Sequence, residues 1–224
     1  DFEKVKIYYK IVSRGLFMFG AVISGGLLPW TSEIIHIFLG EAYLAGLSTL
    51  VLMFLYPVHQ SLGQINGTLL YATEKSWIQV FIGLGFMVSS IVVVYFMLAP
   101  KNMLIPGFGL GSEGLAIKMV LMQFLQVNLM GYVISRIFSW QFEWSYQLIG
   151  LSSAIFFGFI SKYIFTNLFP NHIVINLISS CLLYVIFLMT FFYLMPWLLG
   201  ITKKELLVFL KRKIITFVQS KNGK

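Results

Sequence analysis

The sequence predicts an all-α polytopic membrane protein, a bundle of six transmembrane helices, on three observations. Hydrophobic residues make up 58% of the 224 and charged residues 11%, with a mean hydropathy of +0.87, whereas soluble domains carry roughly 25% charged residues. Six apolar stretches are each long enough to cross a ~30 Å hydrocarbon core, which takes about 20 helical residues. The 16 Lys and Arg fall 13 to 3 between the two alternating sets of gaps and ends. That asymmetry is the positive-inside pattern, and it places both termini in the cytoplasm, as an even number of crossings requires.

Residues 1–14 form a basic cytoplasmic lead-in carrying Lys4, Lys6, Lys10 and Arg14. No signal peptide is recognisable in it, because no short apolar core with a small-residue cleavage pattern follows. The chain starts at Asp1 and not at Met, which reads as a piece of a longer protein. The bundle is expected over 15–201. Its first span, Gly15–Leu39, is interrupted by Pro29-Trp30-Thr31-Ser32-Glu33, so a break is expected there, with Thr31 or Ser32 capping a short second piece.

The second span, Leu44–Ala72, contains Pro57 and an unusual run of polar groups. Tyr56, Gln60, Gln64, Thr68 and Tyr71 recur at three- or four-residue spacing and so share one helix face. His59 and Asn66 lie in the same span. Unpaired amides in lipid cost several kcal/mol, so such a face should look into protein or water. Gly63 and Gly67 form a small-xxx-small pair that lets a neighbouring helix approach closely.

The third span is Trp77–Ala99. The segment Gly107-Phe-Gly-Leu-Gly111 follows a membrane span and not a strand; it is read as a tight extracytoplasmic turn and not as a dinucleotide loop. The fourth span, Gly114–Phe138, carries Lys118, Gln123, Gln126, Asn128 and Arg136. Lys118 and Arg136 sit on one face at opposite ends, where each either snorkels to an interface or lines a cationic cavity. Lys162, near the end of the fifth span Tyr146–Phe169, is read as snorkelling. The sixth span is Ile173–Ile201. In the tail, residues 202–224, Leu207, Leu210, Ile214 and Phe217 repeat at helical spacing, though Phe209 and Ile215 lie off the stripe; an interfacial helix is expected.

Several functions are excluded or disfavoured. The net charge of +8 comes from residues flanking apolar spans and reads as topology and anionic-lipid contact, not nucleic-acid binding. Asp1 is the only aspartate, and the three histidines are not at metal-binding spacing. Glu33 and His36 supply two ligands at most, too few for a metal site, and no cofactor is expected. Cys181 is the only cysteine, which excludes an internal disulfide; it is read as a small buried apolar side chain.

Three segments, in order, carry a family resemblance. They are Ser32-Glu-Ile-Ile-His-Ile-Phe-Leu-Gly-Glu-Ala-Tyr43, Gln64-Ile-Asn-Gly-Thr-Leu-Leu-Tyr-Ala-Thr-Glu-Lys75 and Gly107-Phe-Gly-Leu-Gly-Ser-Glu-Gly-Leu-Ala-Ile117. They resemble the end of helix seven, the end of helix eight and the start of helix ten in polysaccharide-biosynthesis flippases of the multidrug/oligosaccharidyl-lipid/polysaccharide superfamily. The chain departs from the pattern in the long, two-proline loop Ala99–Gly111 and in Glu74, where Gly often precedes the lysine. The resemblance implies a MATE-like fold of about twelve helices, of which this chain supplies helices seven to twelve and a missing N-terminal half the rest.

It further implies flipping of an undecaprenyl-pyrophosphate-linked oligosaccharide across the inner (cytoplasmic) membrane for O-antigen, capsule or a related polymer. Gln60, Gln64, Asn66 and Gln126 would then meet sugar hydroxyls, and Lys118 or Arg136 the pyrophosphate. The partners expected are that lipid-linked substrate, the bilayer and the absent half. Three other readings stay open: a cation-coupled multidrug exporter of the same superfamily, a six-helix membrane enzyme, and a non-transporting membrane assembly subunit.

Overall fold

The computed structural model describes residues 2–169, 172–205, 207 and 208. Among the described residues up to 200, seven α-helices follow one another, α1 (Phe2–Leu27), α2 (Thr31–Phe38), α3 (Leu47–Ala72), α4 (Ser76–Leu98), α5 (Gly111–Ile137), α6 (Ser145–Leu168) and α7 (Ile173–Leu194). Short 3-10 turns cover Leu28–Trp30, Glu41–Gly46 and Pro196–Leu199. No strand occurs among the described residues. Among the described residues six segments are long and apolar enough to cross a membrane, with α1 and α2 counting as one.

The boundaries follow local chemistry. Residues 1–14 were expected as a separate lead-in, yet α1 starts at Phe2 and runs unbroken through Gly15, because Glu3 to Arg14 contain no helix breaker and several good helix formers. Pro29 ends α1, and the chain tightens into a 3-10 turn before α2 begins. Neither Thr31 nor Ser32 caps α2 as expected. The Thr31 hydroxyl donates back to Leu28 O at 2.6 Å and the Ser32 hydroxyl to Glu33 at 2.8 Å. The sixth span stops at Leu194, short of the expected Ile201, since Pro196 cannot continue it.

Helices pack in the spatial order α4, α5, α3, α1, α6, α7. The middle helix α1 buries Phe17, Met18, Ala21, Ser24 and Gly25 along one side. Phe17, Met18 and Ala21 join Val58, Leu62, Val127, Tyr146, Ala154 and Leu198 in the main core. Small residues set the crossings: a Cβ on Gly20 would lie 3.1 Å from Val58 Cα, and one on Gly25 would lie 2.6 Å from the Ala154 carbonyl carbon. At the row's end α4 buries only Ile78, so its apolar surface is left for lipid.

Cross-contacts fix the alternation of the spans. Phe2 meets Phe138, Tyr9 meets Trp140 and Lys75 lies over Phe138, which collects the start of α1, the α3–α4 turn and the α5–α6 turn on the side of the chain's termini. On the opposite, distal side, Ser48 bonds Glu113 and Thr49 donates to Ser112 at 3.2 Å. There the loop after α4 folds back onto its helix, Phe108 N donating to Phe96 O at 2.7 Å and Leu110 N to Met97 O at 2.9 Å. Gly109 and Gly111 take φ of 64° and 55°, the left-handed turn expected of this glycine-rich segment.

Cys181, read as buried, is exposed on α7, facing the surface that lipid covers. At the tail, Thr202 and Glu205 form a reciprocal cap: Thr202 N donates to Glu205 Oε2 at 2.7 Å and Glu205 N to the Thr202 hydroxyl at 3.3 Å. The Thr202 N–H and the Thr202 hydroxyl, which donates to the same oxygen at 2.9 Å, hold the Glu205 carboxyl below its usual range. Most of the proposed interfacial stripe, Leu210, Ile214 and Phe217, lies outside the described residues.

Candidate functional site

The polar face of α3 opens onto a groove closed by α4 and α5. Tyr56, Gln60, Gln64, Thr68 and Tyr71 line one wall, Gln79 comes from α4, and Gln123 and Gln126 come from α5 around a cavity of about 240 Å³. The two glycines make this closure possible. A Cβ on Gly63 would lie 3.2 Å from a Val127 methyl and 3.3 Å from Gln123 Nε2, and one on Gly67 would lie 2.9 Å from Gln79 Oε1. The groove continues distally into a second cavity of about 220 Å³, which shares Tyr56, Gln123 and Gln126 and adds Ser90 and Lys118.

Of the six residues expected at a site, four therefore line these two adjoining cavities, a polar channel between α3, α4 and α5: Gln60, Gln64, Gln126 and Lys118. Gln60 and Gln64 are exposed into it while Gln126 and Lys118 are half-buried. At 1.5 Å per residue, Gln64 lies about 12 Å and Gln60 about 18 Å from the end of α3, well inside a hydrocarbon layer. Lys118 forms no ion pair among the described residues. Gln79 and Gln123 belong to the same lining; Gln123 was noted in the sequence as a polar residue of its span, whereas Gln79 went unremarked near the start of an otherwise apolar one.

Asn66 faces elsewhere. It is buried, accepts from the Tyr9 hydroxyl at 2.7 Å and donates to Val127 O at 3.1 Å. Arg136 is exposed at the end of α5, its Nε donating to the Tyr132 hydroxyl at 3.0 Å. It is 18 positions from Lys118, about 27 Å along the helix, so these two cations do not act together. His59 is buried edge-on between Phe17 and Phe124, at centroid distances of 5.5 and 5.1 Å, with Nδ1 unpartnered. Among the described residues no three metal-ligating side chains cluster.

A third cavity, of about 530 Å³, opens on the terminal side between α1, α3, α5 and α6. Lys6, Lys10 and Arg14, one turn apart on α1, line it with a single carboxylate, Glu143. Glu143 pairs with Arg14 and, at 3.2 Å, with Lys10. The Arg14 side chain is only 5% exposed; it also reaches the Trp197 carbonyl and lies 4.8 Å from the centre of the Tyr146 ring. Asn128 and Gln147 hydrogen-bond to each other across one wall, Gln147 Nε2 donating at 3.0 Å. The basin thus carries three cations to one anion, with amide and aromatic walls. Its signal in the sequence was the four-residue spacing of Lys6, Lys10 and Arg14, which charge counting alone assigns to topology.

Lys162 does not snorkel. Its ammonium turns inward to Glu33, donates to Pro29 O at 2.8 Å and lies 4.7 Å from the centre of the Trp30 ring. Glu33, half of the two-ligand pair weighed with His36, is thereby engaged by Lys162 of α6.

Fold and groove together define a polytopic α-helical membrane protein whose polar channel is built into the span surface. The chain matches no protein-family model, no curated protein and no solved structure.

Proposed function

We propose that the chain is one six-helix half of a flippase for a lipid-linked oligosaccharide. The observation that carries the reading is the α3–α4–α5 channel, where Gln60, Gln64, Gln79, Gln123 and Gln126 stand at membrane depth with Lys118 at one end. Amides exposed at that depth need a polar neighbour. A cargo rich in hydroxyls meets both their donors and their acceptors, and an anionic linkage suits the unpaired ammonium.

In this reading a second bundle faces the channel, and rocking of one bundle against the other exposes it to each side of the membrane in turn. The basic basin on the terminal side attracts the phosphate-bearing head before it enters the channel, and the polyprenyl tail stays in the bilayer. The second bundle is the N-terminal half implied by the resemblance, and the membrane is the cytoplasmic one with both termini inside. No observation favours cation-coupled drug export, since Glu33 is already engaged by Lys162.

The test is glycan export in cells lacking their own flippase, complemented by the full-length protein. Lys118→Met, Gln60→Leu and Gln64→Leu should each lower surface glycan at least about fivefold at unchanged membrane level, because a hydrogen bond to a charged group contributes roughly 1.5–3 kcal/mol and a neutral one about 1. Residues 1–224 expressed alone should not restore export. Normal glycan from all three variants at normal protein level would remove the channel from the cargo path.

A further inference from the structure

Beside the core formed by Ile78, Met130 and Ile134, the start of α4 and the end of α5 border a groove of about 580 Å³. Trp77, Ile78, Phe81 and Ile82 line it from α4, Val133 and Ile137 from α5, and the only polar side chain on it is Lys75. Ile78 forms a buried floor, whereas Trp77 and Phe81 are 61% and 69% exposed, so the walls open sideways into the layer where hydrocarbon lies.

Lys75 is held at the mouth by the backbone. The α3–α4 turn closes with Lys75 N donating to Leu70 O at 2.8 Å and Glu74 in the left-handed region at φ 57°. Its ammonium stands 5.1 Å from the centre of the Phe138 ring. Among the described residues no carboxylate pairs with it. The turn lies at the end of two spans, beside an exposed Trp of the kind that marks the membrane–water boundary.

We propose that this groove binds one anionic phospholipid of the leaflet on the side of the chain's termini, an acyl chain lying between α4 and α5 and the phosphate on Lys75. Apolar walls facing the bilayer are in contact with acyl chains at high local concentration, and a chain seated between two helices covers more of Ile78, Val133 and Ile137 than one lying on a flat surface. A lone ammonium at headgroup level selects for negative lipid, by about fivefold if it contributes as one basic residue near an anionic surface does. The site is separate from the channel, and its occupancy does not depend on what the protein transports.

The full chain, reconstituted in nanodiscs of equal phosphatidylcholine and phosphatidylglycerol and then released into mild detergent, is examined by native mass spectrometry for retained lipid. In a Lys6→Gln, Lys10→Gln background, which removes the exposed cations of the basic basin, phosphatidylglycerol should be retained over phosphatidylcholine by about fivefold while Lys75 is present. Lys75→Gln should leave a lipid bound but bring that ratio close to one. Val133→Trp, which fills the groove, should abolish retention of both lipids, and Phe81→Ala, a change at an already exposed position, should weaken it without harming the fold. An unchanged ratio in Lys75→Gln overturns the headgroup assignment. Unchanged retention in both Val133→Trp and Phe81→Ala overturns the groove, as does a dimer that carries no lipid and covers this face.

Discussion

The Tyr9 hydroxyl donates to the Asn66 side-chain oxygen at 2.7 Å, and the Asn66 amide passes the connection on to Val127 O at 3.1 Å. One buried amide therefore ties the basic first turns of α1 to the crossing of α3 and α5. Replacing Asn66 by Leu leaves the Tyr9 hydroxyl without its partner and takes from Val127 O the bond it accepts beyond its own helical one, and should lower stability by about 1–3 kcal/mol. Tyr9→Phe removes one donor and should cost less, about 0.6 kcal/mol, the mean found for hydrogen bonds between membrane helices. Thermal unfolding in detergent measures both. Equal losses from the two variants would show that Asn66 contributes through its Tyr9 bond alone.

Helix register accounts for what the sequence disclosed of this region and what it did not. Gln60, Gln64 and Thr68 are four apart and fall on one line, which the structure turns into the channel wall. Asn66 is two residues past Gln64, about 200° around the helix, so grouping it with the channel ignored the period that found the channel. The six spans were legible because length and apolarity act within one segment. The Lys162–Glu33 and Lys10–Glu143 pairs join residues 129 and 133 positions apart, and no periodicity within a helix reports on a partner in another. Cys181 was misplaced for a related reason: in a bilayer the outer face of a helix is as apolar as its core, so hydrophobicity alone does not separate the two.

The ion pair at the broken end of the first span should behave as a structural latch. Lys162 and Glu33 are each about a quarter exposed or less, at 21% and 25% for their side chains. Lys162→Met strands Glu33 and frees Pro29 O, and should destabilise by about 1–3 kcal/mol, below the range for a fully buried pair. Adding Glu33→Gln to that variant should restore part of the loss, since the stranded charge is gone. A double variant less stable than the sum of its singles would contradict the latch.

Topology follows from the side on which each turn lies. Lys75 precedes α4 and Asn102 follows it, with 23 helical residues, about 34 Å, between them. After Cys181 is replaced, cysteines at 75 and 102 should react with an impermeant thiol reagent from opposite faces of sealed vesicles. The cysteine at 102 should label from outside intact cells, as the 13-to-3 charge distribution requires. Labelling of both from one face would rule out a crossing by α4.

A stability effect as large as those of Asn66→Leu and Lys162→Met should come from a residue with no side chain. Gly158 of α6 lies against the Gly25 carbonyl and 3.2 Å, measured from an ideal Cβ, from the Pro29 ring. Because Gly25 in turn meets Ala154, the two helices cross backbone to backbone, and any carbon added at Gly158 would overlap the Gly25 oxygen. Moving α6 away is the only relief, and that separates Lys162 from the end of α1 as well. Gly158→Ala should thus lower stability by about 1–3 kcal/mol and Gly158→Leu should prevent folding. Gly85 on α4 is the control, with nothing within 4 Å of its ideal Cβ. There Gly→Ala should be neutral or stabilise by up to about 1 kcal/mol through helix propensity and reduced freedom of the unfolded chain. Unfolding midpoints in detergent compare the two, and a neutral Gly158→Ala would mean that α1 and α6 do not cross at this point.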